Sequence, residues 1–198
     1  STARWMTSRR TGERTVTFDH LSPDHLVDLT TVINPDVIAE LGYFTHGELS
    51  PLLTELRDLG VDWKIRRGTA GMIIPVYGPD GKIASGQFRL DSPQANDKGK
   101  TLRYVNPTGI PNKLDVHPRN TKHISDINRR LWITEGVKKG DALTSQGEVV
   151  VTIAGVFTWR DKLGTLGEWE DIPLRDREVI ICFDSDTKIN RNVQLAMK

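Results

Sequence analysis

Cysteine is almost absent from this 198-residue chain, with Cys182 its single example. That excludes an internal disulfide framework, and it excludes a cysteine-based zinc ribbon built within the chain. The five histidines, at positions 20, 25, 46, 117 and 123, show no tight ligand spacing, which argues against a histidine zinc site too. Long hydrophobic runs are also missing. No apolar stretch approaches the ~20 residues of a membrane span, and no signal-peptide pattern opens the sequence. With 37% apolar and 27% charged residues, the composition is that of an ordinary globular protein, and a reducing, cytoplasmic setting is expected. No internal repeat is visible.

Net charge is nearly absent as well, at +1, but its distribution is uneven. Between Lys64 and Arg130 there are thirteen Lys and Arg against five Asp and Glu; from Leu131 onward there are nine against eleven. A basic middle beside an acidic end suits a protein that handles a polyanion, although a solvated basic face has the same composition.

What the chain does have is a pair of apolar runs that end abruptly in acid. Leu131-Trp-Ile-Thr134 runs into Glu135-Gly136, and Val179-Ile-Ile-Cys-Phe183 runs into Asp184-Ser185-Asp186. An apolar run bounded by turn residues reads as a buried strand. Neighbouring in a parallel sheet, the two strands would bring three carboxylates to the edge where open α/β sheets bind ligands. Carboxylates held together repel unless a cation joins them, and hard oxygen ligands suit Mg²⁺ or Mn²⁺. The pattern points to a metal-dependent site for phosphate chemistry with Asp184, Asp186 and Glu135 as ligands.

Residues 1–15 read as a flexible arm. Ser22-Pro23, Asn34-Pro35 and Ser50-Pro51 each place a capping residue before a proline at the first helical position, which predicts three short helices. Leu52, Leu53, Leu56 and Leu59 stripe the third, and Gly60 ends it. Gly71–Tyr77 and Lys82–Leu90, joined through Pro79-Asp80-Gly81, predict a β-hairpin. Asp91–Gly99 reads as polar loop, Leu102–Val105 as a further strand, and the proline-rich stretch 106–118 as irregular. Beyond it, strand, helix, strand and strand are expected at 131–134, 137–146, 149–154 and 178–183, the alternation of a parallel α/β sheet. Cys182 reads as inert packing within its strand.

The C-terminal portion resembles a Toprim domain, the catalytic module of bacterial-type primases, topoisomerases and some nucleases. Its signature, a strand ending in Glu-Gly followed by a strand ending in Asp-x-Asp, is met by Glu135-Gly136 and Asp184-Ser185-Asp186. Ile133-Thr-Glu-Gly-Val-Lys-Lys-Gly-Asp-Ala-Leu143 is especially similar to a Toprim-like domain of phage and plasmid replication proteins. Gly155–Trp159 and Pro173–Arg177 also have counterparts there. The middle resembles the region preceding Toprim in bacterial-type primases, through Ile74-Pro75-Val76, Asp80-Gly81-Lys82, Gly86-Gln87-Phe88-Arg89 and Leu102–Pro107. Two departures stand out: the zinc-binding domain usual in those primases is impossible here, and Ile189 occupies a position where Toprim sequences often carry glycine.

The resemblance implies an α+β part over 16–130, helical and then β-rich and basic, followed by an α/β Toprim-like domain over 131–198. That second domain has a mainly parallel sheet and is expected to be truncated at its C-terminal end. It implies a DNA-directed nucleotidyltransferase of the primase type, acting in phage- or plasmid-type replication with Mg²⁺ or Mn²⁺. Partners implied are a single-stranded DNA template, ribonucleoside triphosphates and a helicase domain or protein. Glu135 would serve as general base towards a nucleotide 3′-hydroxyl or as a metal contact. Arg89, Lys100, Arg103, Lys113, Lys138 and Lys139 are the candidates for contacting nucleotide or template phosphates. Tyr104, Trp132 and Trp159 could stack on bases or belong to the core. A Toprim nuclease using the same acids, and a non-catalytic single-strand-binding module, remain alternatives.

Overall fold

The computed structural model describes residues 17–183 except 49, 67, 96–98, 100 and 163. The three N-terminal helices form where the cap signals predict them: α1 (Pro23–Thr30), α2 (Pro35–Leu41) and α3 (Pro51–Asp58). Each has proline in its first turn, where the missing N–H costs nothing. In α1 the Ser22 hydroxyl also accepts from the His25 amide at 3.3 Å.

An antiparallel sheet follows in the order β1-β2-β3-β4, formed by Phe44–Thr45, Gly71–Tyr77, Ile83–Ala95 and Thr101–Val105. Strand alternation divides β2 between two cores. Met72 and Ile74 join Leu29, Val37, Ile38, Leu41 and Tyr43 under α1 and α2, and Val137 from α4 (Val137–Ser145) joins the same cluster. Ile73 packs on the opposite face with Phe44, Leu56, Trp63 and Phe88, which seats α3.

A three-stranded parallel sheet has the order β6-β5-β7, from Val149–Ile153, Leu131–Glu135 and Val179–Cys182. Strand β5 is central. Its residues Leu131 to Thr134 pair in register with Val179 to Cys182 on one side, and Leu131 to Glu135 pair with Val149 to Ile153 on the other. The proline-rich stretch is irregular but not idle. Asp115 exchanges both main-chain hydrogen bonds with Thr152 of β6, at 2.9 and 2.8 Å, while its carboxylate accepts from the Tyr77 amide at 3.1 Å. One residue thereby pins the end of β2 to the parallel sheet.

Three expectations need correction. Asp91–Gly99 is not all loop, because β3 continues to Ala95 and pairs Gln94 with Leu102 and Ala95 with Thr101 after a register shift. Backbone pairing at a sheet edge needs no apolar side chains, so polarity alone misled, and Pro93 sits within the irregular stretch where a missing donor is tolerated. Second, β7 is not buried: Val179 and Ile181 are 36% and 48% exposed. Among the described residues it pairs on one side only, so its apolar run lacks cover. Third, Cys182 is exposed rather than packed.

Candidate functional site

Glu135 closes β5, and the chain turns directly into α4 at Gly136. The turn needs φ = 84° there, in the left-handed region that favours glycine, and a Cβ would meet nothing within 4 Å. The glycine therefore serves the turn itself, and the Gly136 N–H donates to the Ile153 carbonyl at 3.0 Å, tying the turn to the end of β6. Strand, turn and helix together deliver a carboxylate and the two lysines 138 and 139 to one sheet edge.

That edge faces the antiparallel sheet across a groove of about 420 Å³. Glu135, Gly136, Lys138 and Lys139 line one wall, Gln87 and Tyr104 the other, and Val32 one end. Gln87 is buried and donates to the Asn106 side chain at 2.9 Å, which fixes its orientation. Tyr104 is exposed and pairs in the ladder with Arg89. A smaller cavity of about 40 Å³ adjoins the groove through Gln87 and Ala154, and Asp115, Asn106 and Lys113 contribute to its lining.

Asp28, from the last turn of α1, reaches this region. Its Oδ2 accepts from Arg89 Nη1 at 2.6 Å and its Oδ1 from Lys138 Nζ at 2.9 Å; Lys138 also donates to the Asp28 carbonyl at 2.8 Å. Burial pushes the Asp28 carboxyl upward, but the hydrogen bond from Lys138 and the charge of Arg89 outweigh it and hold the group below the ordinary carboxylate range. Arg89 Nε is buried with no hydrogen-bond partner.

The predicted site residues are thus distributed as follows. Glu135, Lys138 and Lys139 share the groove, and Arg89 is joined to Lys138 through Asp28. Arg103 is exposed on β4 immediately before Tyr104. Lys113 lines the smaller cavity and pairs with Glu168 at 3.0 Å. Trp132 is half-buried, its indole N–H donating to Glu148 at 2.8 Å, and Trp159 packs against the core beneath the parallel sheet. Lys100, Asp184 and Asp186 lie outside the described residues. Among the described residues no group of three or more His, Cys, Asp or Glu could hold a metal ion. Of the Pro173–Arg177 motif, Arg177 is structural: its guanidinium donates to the carbonyls of Arg129 at 2.8 Å and Ile124 at 2.6 Å.

Residues 122–198 match the model of a domain of unknown function, DUF3854. No curated protein matches the chain. Among solved structures, the zinc-binding and RNA polymerase domains of the Aquifex aeolicus primase are similar, at 15% identity and a TM-score of 0.58. The fold is primase-like. That likeness covers 89% of this chain and 45% of the Aquifex structure, so the chain spans about half the length of that relative. The primase fragment of the bacteriophage T7 primase-helicase protein is 14% identical, with a TM-score of 0.48, over 85% of this chain and 56% of that one. The E. coli primase catalytic core is 16% identical, with a TM-score of 0.45, over 88% and 67% respectively.

Within this primase-like fold, Asp28, Gln87 and Asp115 are neighbours of the groove that sequence reasoning missed. Gln87 belongs to the motif Gly86-Gln87-Phe88-Arg89, but its side chain carries no charge to single it out. Asp28 and Asp115 carried no local signal at all.

Proposed function

We propose that this chain is the catalytic core of a primase of the Toprim type, which joins ribonucleotides on a single-stranded DNA template. The observation that carries the reading is the in-register parallel pairing of β5 with β7. Cys182 pairs with Thr134, and the sequence then runs in two residues to Asp184, while Glu135 follows Thr134. The donor set of Glu135, Asp184 and Asp186 is all carboxylate, which fits Mg²⁺ or Mn²⁺. When bound, such a cation would neutralise charge on the reacting phosphate and favour the ionised form of the attacking hydroxyl.

The chain's own residues supply the rest. Glu135 would accept the proton of a 3′-hydroxyl, whose oxygen bonds to the α-phosphorus as the bond to pyrophosphate breaks. Lys139 and Lys138 would hold the triphosphate, and the exposed ring of Tyr104 offers a stacking surface for a base across the groove. The basic 64–130 region would carry the template, and a helicase partner, phage- or plasmid-type replication and a cytoplasmic setting belong to the same reading.

The test uses labelled single-stranded DNA with Mn²⁺, with and without ribonucleotides. New RNA primers that require ribonucleotides are the expected product. Shortened DNA in both reactions would convert the reading to a nuclease, and no product with template binding intact would leave a binding module.

A further inference from the structure

Two of the cations expected to meet phosphate already meet an anion, and it belongs to the protein. Arg89 on β3 and Lys138 on α4 are 49 positions apart in sequence, yet both end on the Asp28 carboxylate, one on each oxygen. The three side chains are 17%, 27% and 37% exposed respectively, so solvent and ligand can reach them. Ion pairs so exposed to water are weak and easily exchanged. The match also uses little of the guanidinium, which can give two parallel hydrogen bonds to one oxyanion, whereas the bond from Arg89 to Asp28 runs through Nη1. A phosphate, with more acceptor oxygens and more charge, is the better ligand for this pair.

Helix α1 is built to survive the exchange. One turn before Asp28, His25 bonds to Asp91 at 2.7 Å and to the Thr45 hydroxyl at 2.8 Å, while Leu29 is fully buried. Losing Asp28's contacts therefore frees the last turn without undocking the helix. Lys138 also bonds the Asp28 carbonyl, so whatever captures Lys138 uncaps that turn.

We propose that Asp28 is an internal counter-anion, occupying the place of a substrate phosphate between Arg89 and Lys138 and giving way when nucleotide or nucleic-acid phosphate enters the groove. The proposal rests on reading the groove as a polyanion site. Its consequence is a built-in threshold: weak or singly charged anions are refused, and polyphosphates displace the carboxylate.

Binding of tripolyphosphate and of a labelled oligodeoxythymidylate separates the triphosphate and strand-backbone sources of phosphate. In Asp28→Asn, affinity for one or both should rise about 3- to 10-fold at low salt, with a steeper salt dependence as two cations are freed. Asp28→Glu should stay near the parent protein. Arg89→Ala and Lys138→Ala should each cost more in the Asp28→Asn background than in the parent chain. On the unaltered protein, saturating tripolyphosphate should speed amide exchange in the last turn of α1. Unchanged or weaker binding in Asp28→Asn, additive costs, or unaltered exchange in α1 would overturn the proposal. If parent and variant both bind no polyanion, the groove reading falls with it; if the parent binds and Asp28→Asn gains nothing, only the proposal falls.

Discussion

Asp115 is a carboxylic acid held where ionisation is costly. Burial drives its pKa from about 3.8 up to about 7, only partly offset by the hydrogen bond from the Tyr77 amide. Nearby Asp141 is pushed well upward by burial and by Asp115, while the Tyr43 hydroxyl donates to it. A raised acid pKa in the folded state favours the protonated form. Its contribution to stability is therefore whole below about pH 4 and is lost as pH climbs towards about 7. Asp115→Asn keeps the acceptor for Tyr77 and removes the titration. The variant should match the parent near the acid end and exceed it at alkaline pH by about 1 to 3 kcal/mol, read from urea unfolding across that range. A stability difference that does not vary with pH would refute this account.

None of this was visible from local sequence. Asp115 finds Tyr77 and Thr152 across 38 and 37 positions, and Asp28 finds Arg89 and Lys138 across 61 and 110. A single acid between apolar neighbours, as in Val27-Asp28-Leu29 and Leu114-Asp115-Val116, gives no spacing that points to a distant partner. Glu135 was legible because a strand end and a glycine turn mark it locally.

At the scale of elements, the pairing of α4 with β6 is the tightest constraint beside the groove. A Cβ at Gly140 would run into the Thr152 hydroxyl, and Thr152 is itself buried and bonded to Asp115 through the backbone. Gly140→Ala should therefore lower stability by about 1 to 3 kcal/mol and lower the thermal midpoint by several degrees, despite alanine's higher helix propensity. A midpoint equal to or above the parent's would show that α4 has room to retreat. The helices and most strands were legible because prolines, caps and apolar runs are local signals, and the Pro79-Asp80-Gly81 turn closes as expected, with Gly81 N–H donating to Gly78. The far half of β3 was not, because its polar residues carry no apolar alternation even though its partners Thr101 and Leu102 follow closely, and the two-residue β1 was not, because it exists through Met72 and Ile73 of β2.

At the scale of the molecule, the middle and the C-terminal part of the chain meet across one groove, and the charges that line it come from the C-terminal part. The antiparallel sheet presents Gln87 and Tyr104, with Arg89 beside them, and the parallel sheet presents Glu135 and the α4 lysines. The 106–118 segment ties the two sheets together through Asp115, which bonds to Tyr77 of β2 and Thr152 of β6. The order of motifs along the chain foretold that an antiparallel sheet would precede a parallel one with Glu135 at a strand end. It could not foretell that two of the cations would be held by a carboxylate from the first helix.

The central proposal is that Glu135, Asp184 and Asp186 together bind a divalent cation. Titration of Mn²⁺ into the parent chain, Glu135→Ala and Asp184→Ala, followed by calorimetry, tests it most directly. The account predicts one binding event in the parent that weakens ~10-fold or more in each variant, with the fold intact by circular dichroism. Equal Mn²⁺ affinity in all three proteins would contradict it.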